Sequence, residues 1–175
     1  MHSLFLQALR TATLRHLDET QATLLNERLR SLLHANLYDQ AEKLVANTKF
    51  PAGVSNASHA RYFYYTGRIK AIQLEYTEAL KSLQNAIRKA PQNAVAAGFQ
   101  QSAHKLLVVV QLLLGEIPER SLFRQRMFRK ALLPYLRLAQ AVKVGDLRQF
   151  QEVMTECGAQ FKADKTLTLI FRYVF

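Results

Sequence analysis

Residues 60–91 read ARYFYYTGRIKAIQLEYTEALKSLQNAIRKAP, and this stretch decides the fold. Apolar residues recur along it at three- and four-residue spacing, the period of two helices joined by a tight turn. Phe63, Gly67, Ala79, Leu83, Ala86 and Pro91 fit the tetratricopeptide pattern W-x₂-L-G-x₂-Y…A-x₃-F…P, with Phe63 in the tryptophan place and Leu83 in the phenylalanine place. Thr66 and Lys70 depart from it. The pattern has a steric cause: Gly67, Ala79 and Ala86 are small where two helix backbones would approach, and Phe63, Tyr76 and Leu83 fill the space around them. A hairpin of this kind cannot bury its own apolar face, so the rest of the chain should supply more helices that stack on it.

The flanking sequence meets that demand. Leu24, Leu25, Leu29, Leu32 and Leu33 form a helical stripe that ends at Asn36, with Thr20 as its expected N-cap. Tyr38, Ala41 and Val45 then repeat the spacing of Tyr76, Ala79 and Leu83: an aromatic, a small residue three later, an aliphatic four beyond. Residues 20–48 therefore read as a degenerate earlier repeat, separated from the central hairpin by a breaker region with Pro51 and Gly53. Ahead of it, Leu4, Phe5, Ala8, Leu9 and Ala12 mark a helix face. Its arginines and lack of early acids also suit a mitochondrial targeting segment, but the apolar stripe continues into the leucine-rich stretch after Thr20, which favours a structural helix.

Downstream, a helix is expected over 92–115. Its run from Leu106 to Leu114 is apolar except for Gln111, and nine residues are too few to cross a bilayer, so it should lie buried in the middle of the stack. Gly115 and Pro118 should end it. A further hairpin is expected over 135–158, turning at Gly145 and Asp146, with Gly158 as its end. The last ten residues are dense in apolar side chains, more than one exposed helix face accommodates, and should be only partly covered. The 175 residues, 49% hydrophobic with six glycines and four prolines, suit one helical-repeat domain: all-α, a right-handed stack of antiparallel helical hairpins.

The chemistry search is nearly empty. No glycine-rich phosphate loop and no metal-ligand spacing occur, the five histidines lie far apart, and the single cysteine, Cys157, sits in an amphipathic stretch as a small core residue. No catalytic residue, metal or cofactor is therefore expected, and the chain is not read as an enzyme. The formal charge of +11 admits an anionic partner, although basic residues spread along the whole chain suit a solvated surface equally well. The strongest local excess is Arg120, Arg124, Arg126, Arg129, Lys130 and Arg137 against Glu119 alone, which should be exposed and available to an acidic partner. Tyr62, Phe63, Tyr64 and Tyr65 between Arg61 and Arg68 raise nucleic-acid stacking as the alternative, but four consecutive aromatics cover every face of a helix and suit packing between repeats better.

Long runs carry a more specific likeness. ARYFYYTGRIKAIQLEY at 60–76, AIRKAP at 86–91 and HKLLVVVQLLLGEIPER at 104–120 resemble the non-ATPase subunit-three family of the proteasome regulatory lid. LRTATLRH at 9–16, LYDQAEKLV at 37–45, AQAVKVGDL at 139–147 and FKADKTLTLI at 161–170 extend the resemblance over nearly the whole chain. It implies a PCI module, a helical-repeat arm followed by a winged helix, shared with the COP9 signalosome and a translation-initiation complex. It also implies a non-catalytic scaffold in ubiquitin-dependent degradation, partnered by other lid subunits and located in cytoplasm and nucleus, with neither membrane nor nucleic acid as partner. The chain departs from the family around Arg126 and Met127, starts inside the helical arm, and is expected to hold no winged helix before Phe175.

Overall fold

The computed structural model describes residues 2–172; of residues 2–4 and Ala94 only the backbone is described. All regular structure among the described residues is helical. Helices α1 (His2–Leu14), α2 (Asp18–His34), α3 (Tyr38–Asn47), α4 (Asn56–Ile72) and α5 (Tyr76–Lys89) form the first half. After a single 3₁₀ turn, α6 (Ala97–Leu113), α7 (Arg120–Arg124), α8 (Leu133–Val144), α9 (Leu147–Ala163) and α10 (Leu167–Phe171) complete the chain.

One device ends six of these helices. At His16, Asn36, Leu74, Gly115, Gly145 and Lys165 the backbone turns left-handed, with φ between 53° and 79°. In each case the amide of that residue donates to the carbonyl three positions back, and the next amide donates to the carbonyl five back from itself, as in Leu74 N to Ala71 O (3.4 Å) and Glu75 N to Lys70 O (3.0 Å). This Schellman arrangement satisfies carbonyls that a helix end leaves orphaned and reverses the chain within three residues. Except after Gly115, the next helix packs back against the one just ended. Four of the six positions are not glycine, which is why most of the turns escape a search for glycine.

The start of α3 at Tyr38, and the ends at Asn36, Gly115 and Gly145, match the sequence expectation; the turn between α4 and α5, which the repeat pattern leaves unplaced, falls at residues 73–75. Other boundaries correct it. Thr20 does not cap α2: the turn at His16 starts the helix at Asp18, and Asp18 and Glu19 complement the dipole in its first turn. The helix expected from Gln92 begins at Ala97, because the side chain of Asn93 accepts from the Ala96 amide (3.0 Å) and closes a 3₁₀ turn instead. Helix α9 runs through Gly158 to Ala163, since Phe161 beyond it is fully buried and offsets the weak helix propensity of one glycine.

Among the described residues, two apolar cores lie on either side of α4. The smaller joins Leu29, Leu32 and Leu33 of α2, Ala41 of α3 and Ile69 of α4. The larger starts at Ala71 and runs through Ala79 and Leu83 of α5, along α6, to Tyr135, Phe161, Leu169 and Ile170. Helix α6 is central, touching α4, α5, α8 and α10. In the apolar C-terminal run, Leu169 and Ile170 are inside the core, whereas Phe171 is 48% exposed and Arg172 donates to the Ile72 carbonyl at the end of α4 (2.8 Å). The segment is thus better covered than its composition suggests; Tyr173, Val174 and Phe175 lie outside the described residues.

Candidate functional site

The residues that carry the repeat pattern divide by burial. Ala79, Leu83 and Ala86 are completely buried, and a Cβ on Gly67 would sit 2.9 Å from Leu83 Cγ and 3.3 Å from the Ala79 carbonyl oxygen. Glycine is therefore required where α4 and α5 cross. Tyr76 packs half-buried against the larger core. Phe63 and Pro91 depart from the expected packing role. Phe63, one turn before the crossing, is half-buried outside both cores, with its ring neighbours His59 and Tyr62 at 6.2 Å. Pro91 is exposed; its carbonyl is what anchors the chain, accepting from the buried Gln100 amide (2.6 Å).

The basic segment is built as a strap on two aromatic anchors. Phe123 on α7 and Phe128 in the turns after it are buried, Phe128 against the His104 ring (4.6 Å between centroids), and Gln101 Nε2 donates to the Met127 carbonyl (2.9 Å). Burial holds His104 down to about 4, so the imidazole is neutral at physiological pH and adds no charge here. With the anchors inward, Arg120, Arg124, Arg126, Arg129 and Lys130 all point to solvent, none in an ion pair among the described residues. Arg120, Arg124 and Arg129 rim an open slot of about 440 Å³ whose floor includes Phe123, Leu132, Leu133 and Leu136. Arg137 does not join them. It donates to Glu156 Oε2 (2.6 Å) across α8 and α9, and that bond raises its pKa.

The aromatic run is committed to packing. Tyr62 stacks on Phe50 (4.2 Å, 19°) and Tyr64 meets the edge of Phe99 (5.5 Å, 68°). Burial raises the pKa of Tyr62, Tyr64 and Tyr65. Stacking bases would require faces that these contacts already use. Cys157 is half-buried against the larger core. Among the described residues no three His, Cys, Asp or Glu side chains are grouped to hold a metal ion, and no helix is long and apolar enough to cross a membrane.

A second basic site has no local signature in the sequence. A cleft of about 250 Å³ opens between α2, α4, α6 and the α9–α10 turn, lined by Arg30, Arg68, Lys105 and Lys165 with Asp164. Lys105 Nζ donates to both Asp164 oxygens (2.8 and 2.9 Å), and the Tyr135 hydroxyl donates to Asp164 Oδ2 (3.0 Å) while sharing a bond with Thr166 Oγ1 (2.9 Å). Lys165 Nζ reaches the His34 carbonyl at the end of α2 (3.5 Å). These residues come from four distant parts of the chain, so periodicity could not group them; the left-handed turn at Lys165 aims that side chain inward.

Comparison with known proteins agrees with this architecture. A family model described as PSMD3-like, N-terminal TPR repeats, matches residues 1–139. The 26S proteasome non-ATPase regulatory subunit 3 of Dictyostelium discoideum is 55% identical over 172 residues, which is 98% of this chain and 34% of that protein. The probable subunit 3 of Anopheles gambiae is 56% identical over 94% of this chain and 33% of its own length. The probable 26S proteasome regulatory subunit rpn3 of Schizosaccharomyces pombe is 52% identical over 93% and 33%. The chain thus spans about a third of the length of these relatives.

Proposed function

Because the chain belongs to the PSMD3-like family of N-terminal tetratricopeptide repeats, we propose that it is a non-catalytic assembly arm of the proteasome regulatory lid, serving ubiquitin-dependent degradation through contacts with other lid subunits. The observation that carries this reading is the 55% identity, over 98% of the chain, to a relative named as a proteasome non-ATPase regulatory subunit. On this reading the chain works in cytoplasm and nucleus, needs no cofactor, and binds neither membrane nor nucleic acid.

The slot beside α7 is the face we assign to a lid partner. An apolar side chain of the partner would enter against Leu133 and Leu136, and acidic side chains around it would meet Arg120, Arg124 and Arg129, with Arg126 and Lys130 further out on the same strap. Apolar anchors supply most of the affinity at such a site, whereas rim charges set encounter rate and orientation.

Affinity purification of the tagged chain from cells, read by mass spectrometry, should recover lid subunits in fixed stoichiometry. The double reversal Arg124→Glu, Arg129→Glu should reduce that recovery and leave the circular dichroism spectrum unchanged, because both side chains are exposed. Recovery of RNA-binding assemblies instead, with affinity falling steeply as salt rises, would refute the scaffold reading.

A further inference from the structure

The cleft between α2, α4, α6 and the α9–α10 turn holds more positive charge than it neutralises. Lys105 is paired with Asp164, and Arg30 lies 3.7 Å from Glu27 on the outer rim. Arg68 and Lys165 have no acidic partner among the described residues, and Arg68 Nη2 is buried without a hydrogen bond. An unpaired buried guanidinium nitrogen costs free energy unless a ligand or water satisfies it. Lys165 is also close enough to Arg68 that burial first, and the guanidinium second, lower its pKa. Two like charges thus face one concavity.

We propose that this cleft binds a phosphate dianion, held by the Arg68 fork and the Lys165 ammonium. The match is one of charge and geometry: two uncompensated cations meet two negative charges, and a guanidinium presents parallel donors to two oxygens of a tetrahedral oxyanion. Tyr64 and Tyr65 line the same cleft and offer hydroxyl donors for a third oxygen. The binding side chains come from α4 and the α9–α10 turn, 97 positions apart in sequence, so occupation ties the central hairpin to the C-terminal core. The phosphate is either free or carried on a serine or threonine of another protein; both present the same dianion.

Thermal melts of the 175-residue chain test this, with sodium phosphate exchanged for sodium acetate at constant ionic strength and pH. Phosphate should raise Tm saturably, as expected for a ligand that binds only the folded state, and broaden its own ³¹P resonance. Lys165→Gln should weaken the apparent Kd at least tenfold, and Arg68→Gln should do the same if it folds. Arg129→Gln, in the exposed strap, should leave the Kd unchanged. A phosphoserine peptide that binds tenfold more tightly than inorganic phosphate, while its unphosphorylated form does not bind, identifies a modified protein as the source; equal affinity identifies free phosphate. The proposal is overturned if acetate stabilises as much as phosphate, or if Lys165→Gln and Arg129→Gln lose the response equally.

Discussion

The hairpins α4/α5 and α8/α9 turn through the same backbone device and hold their helices together by opposite means. In α4/α5 the backbones meet: Gly67 leaves no room for even a methyl group against Leu83. In α8/α9 the glycine at 158 faces open space, with no atom within 4 Å of where its Cβ would be. Contact there is made by large groups, Tyr135 edge-on to Phe161 (5.1 Å, 73°) with its hydroxyl bound to Asp164 and Thr166. A close crossing demands small residues at set positions and so appears in the sequence as a consensus. A crossing through long side chains tolerates many residue types along the helix and depends on a few distant polar partners.

The comparison breaks most visibly at Asp164. Its carboxylate accepts from Lys105 and Tyr135, and both ion-pair side chains are largely buried, at 15% and 21% exposure. Asp164→Ala would strand the lysine charge and remove one of the two partners of a buried hydroxyl, and should cost about 2–4 kcal/mol. Urea unfolding should show this as a lower midpoint at unchanged slope. Tyr135→Phe should cost less, because it removes the hydroxyl without leaving a charge unpaired. A loss below about 0.5 kcal/mol for Asp164→Ala, the level of an ordinary surface change, would mean that apolar packing alone holds α8, α9 and α10 to α6.

The α4/α5 crossing should respond to volume instead. Gly67→Leu or Ala79→Leu would push the helices apart and should cost about 1–3 kcal/mol, the usual range for overpacking. Ala141, buried on α8, has no glycine opposite it, so the same enlargement there tests whether close backbone approach or mere burial is decisive. Equal loss at all three positions would erase the distinction between the two hairpins.

Legibility divides along the same line. The 3.6-residue period, Asn36, Tyr38, Gly115 and Gly145 place helices and turns from local rules, because each of these boundaries is decided within five or six residues. Thr20 and Gly158 mislead because the residue's own preference is overruled, by a left-handed turn at the non-glycine His16 in one case and by the tertiary burial of Phe161 in the other. At the candidate sites, the exposed basic strap was readable as a run of like charges. Arg137 stands apart from that run in the fold, since its partner Glu156 is nineteen positions away on the next helix. The Arg68 cleft was invisible because its charges converge only when α2, α4, α6 and the α9–α10 turn are assembled.

The smallest effect is also the sharpest test of the open side of the comparison. Gly158 lies inside α9 with helical geometry on both sides, so it carries the full backbone-entropy penalty of glycine and no steric reason for its presence. Gly158→Ala should therefore stabilise the chain by about 0.5–1 kcal/mol, the propensity difference between the two residues in a helix interior. The same replacement at Gly67 should destabilise, since the Leu83 side chain and the Ala79 carbonyl would have to yield. The two substitutions are chemically identical and lie in different hairpins with separate contacts, so their effects should add in the double variant. Thermal melts of the two single variants and the double would read opposite signs at the two glycines. Destabilisation at both would mean that α9 passes closer to a neighbouring backbone than its open surroundings at Gly158 allow.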